Sequence, residues 1–170
     1  MKKKSSAIND LLAVMARLRS PTGCPWDREQ DHRTLRFHAV EEVYELLDAI
    51  EAGDDHEMAE ELGDLLLQVV FHCQLARERG AFDFEKVTRH LVAKLIRRHP
   101  HVFANLEVNG TQEVLQNWEA IKAQEKANAG KEEKKRFLDS VSSKMPPLVE
   151  ARQLTERAAY VGRSEEHTSE

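Results

Sequence analysis

Glycine, proline, cysteine and aromatic residues are all scarce in this chain of 170 residues. It contains seven glycines and five prolines, and aromatic side chains make up 6% of the sequence. This scarcity disfavours collagen-like chains and turn-rich β architectures, while an apolar content of 41% disfavours intrinsic disorder. The length suits one domain with tails. The composition therefore favours helices.

The two cysteines and the lack of a long apolar run bear on the cellular setting. Cys24 and Cys73 show no CxxC spacing, which fits a reducing cytosol better than a disulfide scaffold or a thiolate zinc site. The longest uncharged apolar stretch, from Leu65 to Ala76, is shorter than the roughly 20 residues needed to cross a bilayer. The lysines at positions 2–4 precede no apolar segment, so a signal peptide is not supported. We predict a soluble, cytoplasmic protein without a membrane partner.

No strong excess of positive charge is present either. The chain has 30 acidic and 25 basic residues, giving a formal net charge of -5. A general field for binding polyanions is therefore not expected, although local basic patches can still bind phosphate. Nucleic acid is disfavoured as a partner.

The spacing of apolar residues predicts helices and no strands. The predicted helices cover residues 7–19, 34–51, 56–79, 84–98 and 111–126, with a possible short helix over 147–161. Asp54 and Asp83 are candidate N-caps. The helix over 56–79 is apolar nearly all round in its middle, which predicts burial on most sides. The expected fold class is all-α, a helical bundle built around an antiparallel helix hairpin.

Two short acidic stripes face each other across the predicted hairpin. Glu41 or Glu42 shares a helix face with Glu45, and Glu61 shares one with Asp64, because residues three and four apart lie one above the other. Counted from the intervening turn, the two stripes reach similar heights. Four or five carboxylates would thus converge, and such a group is costly without a cation.

The chemistry of these ligands favours a hard divalent ion. All of them are oxygens, which suits Mg²⁺, or Mn²⁺ as a substitute. Zinc is disfavoured because no Cys and no paired His flank the acids. A di-iron site is disfavoured because the one clear Glu-x-x-His pair, Glu29 to His32, lies in the entry segment. The alternative is a solvated acidic face with no metal.

Residues 41–45, EEVYE, and residues 61–64, ELGD, resemble the EExxE and ExxD signature of the MazG nucleoside triphosphate pyrophosphohydrolases. Residues 24–30, CPWDREQ, and residues 94–103, KLIRRHPHVF, also resemble flanking segments of that family. The resemblance covers roughly residues 8–126. EExxE alone is a weak motif, but the ordered set is specific.

The resemblance implies an all-α fold, a homo-oligomer with a dimer favoured, and Mg²⁺-dependent hydrolysis of nucleoside triphosphates to monophosphate and pyrophosphate. Such an enzyme would act in nucleotide-pool cleaning or stress-linked nucleotide catabolism. Carried over by residue, Glu42, Glu45, Glu61 and Asp64 would be metal ligands. Glu41 would be a further ligand or a carboxylate that orients the attacking water.

The resemblance also implies substrate-binding residues. Lys94, Arg97 and Arg98 would supply cations to the triphosphate, although basic residues also favour the last turn of a helix. Trp118 resembles a later aromatic position of the family that could contact the nucleoside, and Trp26 is a second candidate for stacking. Either tryptophan could instead serve packing alone.

The predicted domain organisation has three parts. Residues 7–126 form the MazG-like domain, residues 127–162 a charged linker with an interdomain helix, and residues 163–170 a disordered or foreign tail. Longer members of the family carry two such domains, and we expect this chain to be truncated before the second. The alternative function is therefore a noncatalytic helical domain that mediates oligomerisation or binds nucleotide.

Overall fold

The structure, a computed structural model, describes residues 6–128 and 146–160. The regular secondary structure of these residues is all helix and contains no strand, which confirms the predicted all-α class. The helices are α1 (Ala7–Leu18), α2 (Pro25–Glu29), α3 (His38–Ala52), α4 (Asp55–Glu78), α5 (Phe84–Arg98), α6 (Pro100–Phe103), α7 (Thr111–Asn128) and α8 (Pro147–Tyr160). Among the described residues, no helix is both long and apolar enough to cross a membrane.

The chain divides into two compact units, Met1–Arg97 and Arg98–Glu170. The first contains α1 to α4 and nearly all of α5, and the second contains α6 to α8. Most of the predicted linker and the whole predicted tail lie outside the described residues. The predicted domain bounds stay a prediction.

Six of the helices lie where the apolar spacing predicts them, and two short ones were not predicted. Both α2 and α6 begin at a proline, a residue whose fixed φ suits the first turn of a helix. Helix α3 begins at His38 rather than near Thr34. The reason is local, because the Asp31 carboxylate accepts hydrogen bonds from the backbone N–H groups of Arg33 and Thr34, which forms a separate turn before the helix.

Helices α3 and α4 form the hairpin that the sequence predicts. Gly53 ends α3 with a φ of 69°, a left-handed conformation that glycine adopts without steric cost. Asp54 then caps α4, since its Oδ1 accepts hydrogen bonds from the N–H groups of His56 and Glu57 at 2.9 and 3.2 Å. Because this connection is so short, the two helices pack antiparallel, and they share the most extensive helix contact in the described chain.

The core of the first unit lies around the C-terminal half of α4. Met15, Leu35, Val70, Phe71 and Leu75 are buried against one another. Each such side chain contributes about 1.5 to 3 kcal/mol by leaving water. Apolar residues of α1 surround this cluster, as the spacing of α1 predicts. The core therefore fixes α1 and the second half of α4.

The first half of α4 is much less buried within the chain than predicted. Leu62 and Leu66 are 49% and 39% exposed, so the expectation of burial on most sides is wrong for this half. The physical reason is that this half packs on α3, whereas the core with α1 forms further along the helix. An apolar face of the hairpin is left exposed.

One ion pair joins the end of α1 to the end of α4. The Arg19 guanidinium, 8% exposed, donates two hydrogen bonds of 2.7 Å to the two carboxylate oxygens of Glu78. It also donates to the carbonyl oxygens of Asp27 and Gln30. The hydrogen bond from Arg19 is the main cause that lowers the pKa of Glu78 below its ordinary value of 4.5. This arginine therefore connects α1, α2 and α4.

Replacing Glu78 by Gln is expected to destabilise the protein at neutral pH by about 1 kcal/mol, because Arg19 loses its charged partner. Because the pKa of Glu78 is lower in the folded state, its ionised form stabilises the fold at a pH above its pKa in the unfolded state. This stabilisation is lost as the pH falls through the pKa of the folded state. The gap between wild type and Glu78→Gln should therefore close below pH 4.5. Urea denaturation over a pH series measures it. Glu85→Gln, which breaks the exposed pair with Arg89, is the control and should change little. A gap independent of pH would contradict the assignment.

Candidate metal centre

Three carboxylates from the two helices of the hairpin come together. Glu42 and Glu45 lie three residues apart on one face of α3, and Glu61 lies on α4. Each offers one oxygen, and these three oxygens lie within 4.8 Å of one another. The hairpin thus brings together three of the five predicted acids in what we call the carboxylate cluster.

The other two predicted acids differ in their surroundings. Asp64 follows Glu61 by one turn, close enough for its charge to raise the pKa of Glu61. Glu41 is exposed, and its Oε2 lies 3.1 Å from Nδ1 of His38. Asp64 therefore borders the carboxylate cluster, whereas Glu41 contacts a histidine. The proposed roles of both acids stay predictions.

The electrostatics of the carboxylate cluster fit a divalent cation. Desolvation raises the pKa of Glu61, and the charges of Glu45, Asp64 and Glu42 raise it further. In addition, Oε2 of Glu61 is buried and has no hydrogen-bond partner among the described residues. A hard ion such as Mg²⁺ or Mn²⁺ prefers oxygen ligands and would remove both penalties. The residues present therefore fit the predicted metal.

Gln68, which is not among the predicted site residues, contacts the carboxylate cluster. Its Nε2 donates a hydrogen bond of 3.2 Å to Oε1 of Glu42. Its side chain is buried, and its own Oε1 has no partner among the described residues. The sequence feature that points to Gln68 is its position. It lies one turn beyond Asp64 on the same face of α4 and is the one polar residue in an apolar run.

His72, one turn beyond Gln68 on α4, contacts His32 from the segment between α2 and α3. The rings of His32 and His72 stack with centroids 5.1 Å apart, and their Nδ1 atoms are 2.9 Å apart. Burial lowers the pKa of His72, and the neighbouring His32 lowers it further. One neutral ring can then donate to the other. This contact could not be predicted from apolar spacing, since the two residues are 40 positions apart along the chain.

Three of the predicted substrate-binding residues lie in the first unit. Lys94 is half-buried on α5 and forms no ion pair within the described residues. Arg97 is exposed at the end of the same helix. Trp26 is 53% exposed, and its ring meets the His38 ring edge-on at 6.2 Å. Their roles toward a substrate stay predictions.

In the second unit, Arg98 and Trp118 lie together. The Arg98 guanidinium donates hydrogen bonds of 2.7 and 3.2 Å to Oε2 of Glu125. It also lies 5.6 Å from the centre of the Trp118 ring, over which Nζ of Lys122 lies at 4.3 Å. Trp118 therefore packs under two cations. Its predicted contact with a nucleoside stays a prediction.

Comparison with known proteins identifies the family. The family model described as MazG nucleotide pyrophosphohydrolase domain matches residues 30–103, a range that includes the whole carboxylate cluster. The chain carries a MazG-family domain. The resemblance stated from residues 41–45 and 61–64 is thereby confirmed.

Relatives of the MazG domain cover most of this chain. A Thermotoga maritima protein named nucleoside triphosphate pyrophosphohydrolase/pyrophosphatase MazG is 48% identical over 162 residues, which is 95% of this chain and 60% of that protein. An Escherichia coli K12 protein named nucleoside triphosphate pyrophosphohydrolase is 45% identical over 156 residues, 91% of this chain and 58% of that protein. The chain thus spans about three-fifths of the length of these relatives.

A solved structure supports the fold of the MazG domain. The crystal structure of a mazG-related protein from Thermotoga maritima matches with a TM-score of 0.58 and 25% sequence identity. The match covers 68% of this chain and 98% of that one. The all-helical architecture is therefore shared with a member of the same family.

Replacing Glu61 by Gln is expected to raise the melting temperature of the metal-free MazG domain at neutral pH, because one of several mutually repelling charges is removed. A raised pKa means that the charged form destabilises the fold above that pKa and that protonation relieves the penalty below it. The gain should therefore shrink as the pH falls toward the pKa of Glu61. Thermal denaturation in EDTA measures it, and Glu57→Gln, an exposed acid on the same helix, is the control.

Addition of Mg²⁺ should make the melting temperature of wild type higher than that of Glu61→Gln. A ligand that binds only the folded state stabilises it, so wild type should gain more than Glu61→Gln. A Glu61→Gln protein that melts below wild type in EDTA would contradict the repulsion described above.

Proposed function

We propose that this MazG domain hydrolyses nucleoside triphosphates to nucleoside monophosphate and pyrophosphate, with Mg²⁺ as cofactor and Mn²⁺ as a possible substitute. The observation that carries the proposal is the approach of three carboxylates from two helices to within 4.8 Å. The Thermotoga and Escherichia relatives, which are named nucleoside triphosphate pyrophosphohydrolases, suggest the reaction. Since the chain spans only part of those proteins, the activity is tested on this chain itself.

The proposed roles of the acids come from the family resemblance, and the approach of Glu42, Glu45 and Glu61 supports them. Glu42, Glu45, Glu61 and Asp64 would hold the ion, which when bound offsets phosphate charge and lowers the pKa of a water. Glu41 would complete the ligands or orient the attacking water, and the His38 contact at 3.1 Å would fix its carboxylate. Attack at the α-phosphorus releases pyrophosphate and needs no covalent intermediate with the protein.

The proposed substrate contacts come from the two flanking segments that resemble the family and, for Trp118, from a later aromatic position. Lys94, Arg97 and Arg98 would bind the triphosphate, with arginine able to grip two phosphate oxygens at once. Trp26 and Trp118 would contact the nucleoside by stacking. Arg98 now donates to Glu125, so a phosphate would have to replace that carboxylate as its acceptor.

Purified protein is expected to release pyrophosphate from nucleoside triphosphates in Mg²⁺ and not in EDTA. Glu61→Gln should lower kcat/KM by about 100-fold or more, because a ligand of the ion that stabilises the transition state is lost. The measurement is a pyrophosphate assay on a panel of ribonucleotides and deoxyribonucleotides, with chromatography to identify the monophosphate. Glu57→Gln is the matched control. Equal release by wild type and Glu61→Gln would overturn the enzymatic proposal.

The same assay decides the alternative function. A noncatalytic domain would bind nucleotide, or assemble, without releasing pyrophosphate. The exposed apolar face of the hairpin is the observation that favours assembly, although an enzyme can also have it. Nucleotide binding measured by calorimetry together with absent turnover would favour this alternative.

We also propose that the MazG domain forms a homodimer through the apolar face of the hairpin. The exposed apolar residues recur every three or four positions, which places them along one side of each helix; they are Val40, Val43, Leu47 and Ile50 on α3, with Leu62, Leu66 and Val69 on α4. An exposed face of this kind favours a partner surface. A second copy of the hairpin fits, because two helix pairs can bury such faces in a four-helix arrangement.

Leu47→Lys is expected to weaken the dimer about tenfold or more, since a charge would be buried at the apolar contact. Sedimentation equilibrium should give twice the chain mass of 19.5 kDa for wild type and a shift toward the single mass for the variant. Val92→Lys on α5, which is equally an exposed apolar position, is the control and should leave the mass unchanged. A monomeric wild type would refute the dimer.

The proposed setting is the cytoplasm, where Cys24 and Cys73, both free, stay reduced. There the reaction would serve nucleotide-pool cleaning or stress-linked nucleotide catabolism. The proposed partners are nucleoside triphosphates and a second copy of the chain, with neither nucleic acid nor a membrane involved.

A further inference from the structure

Gln68 is a buried polar side chain in the most apolar part of α4. It is 8% exposed and follows three leucines, with Val69 and Val70 after it. A buried amide is costly unless its polar atoms are engaged. Apolar residues would pack at this position without that cost, so the amide calls for an explanation.

The amide nitrogen of Gln68 is engaged by the carboxylate cluster. Its Nε2 lies 3.2 Å from Oε1 of Glu42, and an ionised carboxylate can only accept a hydrogen bond. The charge of Glu42 therefore fixes the orientation of the amide, with its nitrogen toward the carboxylate. In return, the hydrogen bond restricts the rotation of the Glu42 carboxylate.

The amide oxygen of Gln68 is left without a partner. Its Oε1 is buried and accepts no hydrogen bond within the described residues. It cannot exchange places with the nitrogen without setting two oxygens against each other at Glu42. A donor from outside the protein, such as a water of a bound metal ion, suits this oxygen.

We propose that Gln68 is a positioning residue that holds the Glu42 carboxylate in its metal-binding orientation and accepts a hydrogen bond from a water of the site. The inference rests on the metal site of the proposed function. Metal-binding carboxylates are commonly held by hydrogen bonds from neighbouring groups, and loss of such a neighbour weakens metal binding by about 10-fold to 100-fold. Gln68 acts on the metal through Glu42 and is not itself a ligand.

The first test measures binding of Mn²⁺ alone, without nucleotide, from the electron paramagnetic resonance signal of the free ion. Gln68→Met, which keeps the length of the side chain and removes the amide, should weaken Mn²⁺ binding about tenfold. Gln74→Met is the matched control. Gln74 is also on α4 and donates to a carboxylate, Glu78, at 2.9 Å, but that carboxylate lies outside the cluster. Its replacement should leave Mn²⁺ affinity unchanged.

The second test asks whether Gln68 acts through Glu42. The Mn²⁺ affinities of Glu42→Gln and of the double variant complete a double-mutant cycle. A positioning role predicts that Gln68→Met loses most of its effect when Glu42 is already replaced. A merely structural role predicts the same weakening in both backgrounds, and that result would overturn the proposal.

Folding is checked on the same samples by circular dichroism and thermal denaturation. Gln68→Leu, similar in size, replaces Gln68→Met in the cycle if the methionine variant does not fold. Unchanged Mn²⁺ affinity in the folded variant overturns the proposal, as does a wild type that binds no Mn²⁺.

The outcomes for Gln68 and for the proposed function can be told apart. Mn²⁺ binding with the expected coupling, but without pyrophosphate release, rejects the hydrolase and supports the role of Gln68. Pyrophosphate release with unchanged Mn²⁺ affinity in Gln68→Met supports the hydrolase and rejects the role of Gln68.

Discussion

The packing of α3 against α4 is the contact on which the candidate site depends. The left-handed Gly53 and the Asp54 cap reverse the chain within two residues, so the two acidic stripes must face each other. Like charges then lie within 4.8 Å, an arrangement that opposes the packing that creates it. A cation changes the sign of this contribution, because it turns repulsion between the helices into shared coordination. The site is therefore built at some cost to the metal-free fold.

The fold tolerates the repulsion between the carboxylates because the two halves of α4 have different roles. The second half lies in the core with α1 and is joined to Arg19 through Glu78. The first half carries Glu61 and Asp64 and is held mainly by α3. Gln68 lies where the two halves meet and is the residue through which the well-packed part contacts the carboxylates. The helix thus extends from the core into the site, and the packing of its second half favours fixed ligand positions.

Sequence reasoning could predict what depends on period and on turns. The helix ranges, the caps at Asp54 and Asp83 and the approach of Glu42, Glu45 and Glu61 all follow from positions three and four apart and from one tight turn. The contact of Glu41 with His38 and that of Arg98 with Glu125 could not be predicted, because side-chain rotamers and tertiary packing decide them. Periodicity also indicates that an apolar face is to be buried. It does not indicate whether the same chain or another copy covers that face. For this reason the predicted burial of Leu62 and Leu66 within the chain is wrong.

The exposed apolar face and the acidic stripes interleave on the same two helices. Val43 lies between Glu42 and Glu45, and Leu62 lies between Glu61 and Asp64, so each helix carries both rows on different sides. A second copy on the apolar side and a metal ion on the acidic side would both stabilise the same hairpin geometry. Binding equilibria that favour one conformation are thermodynamically linked, and the linkage is reciprocal. In the proposed dimer, metal binding and association therefore each add to the stability of the folded hairpin, although the two surfaces need not touch.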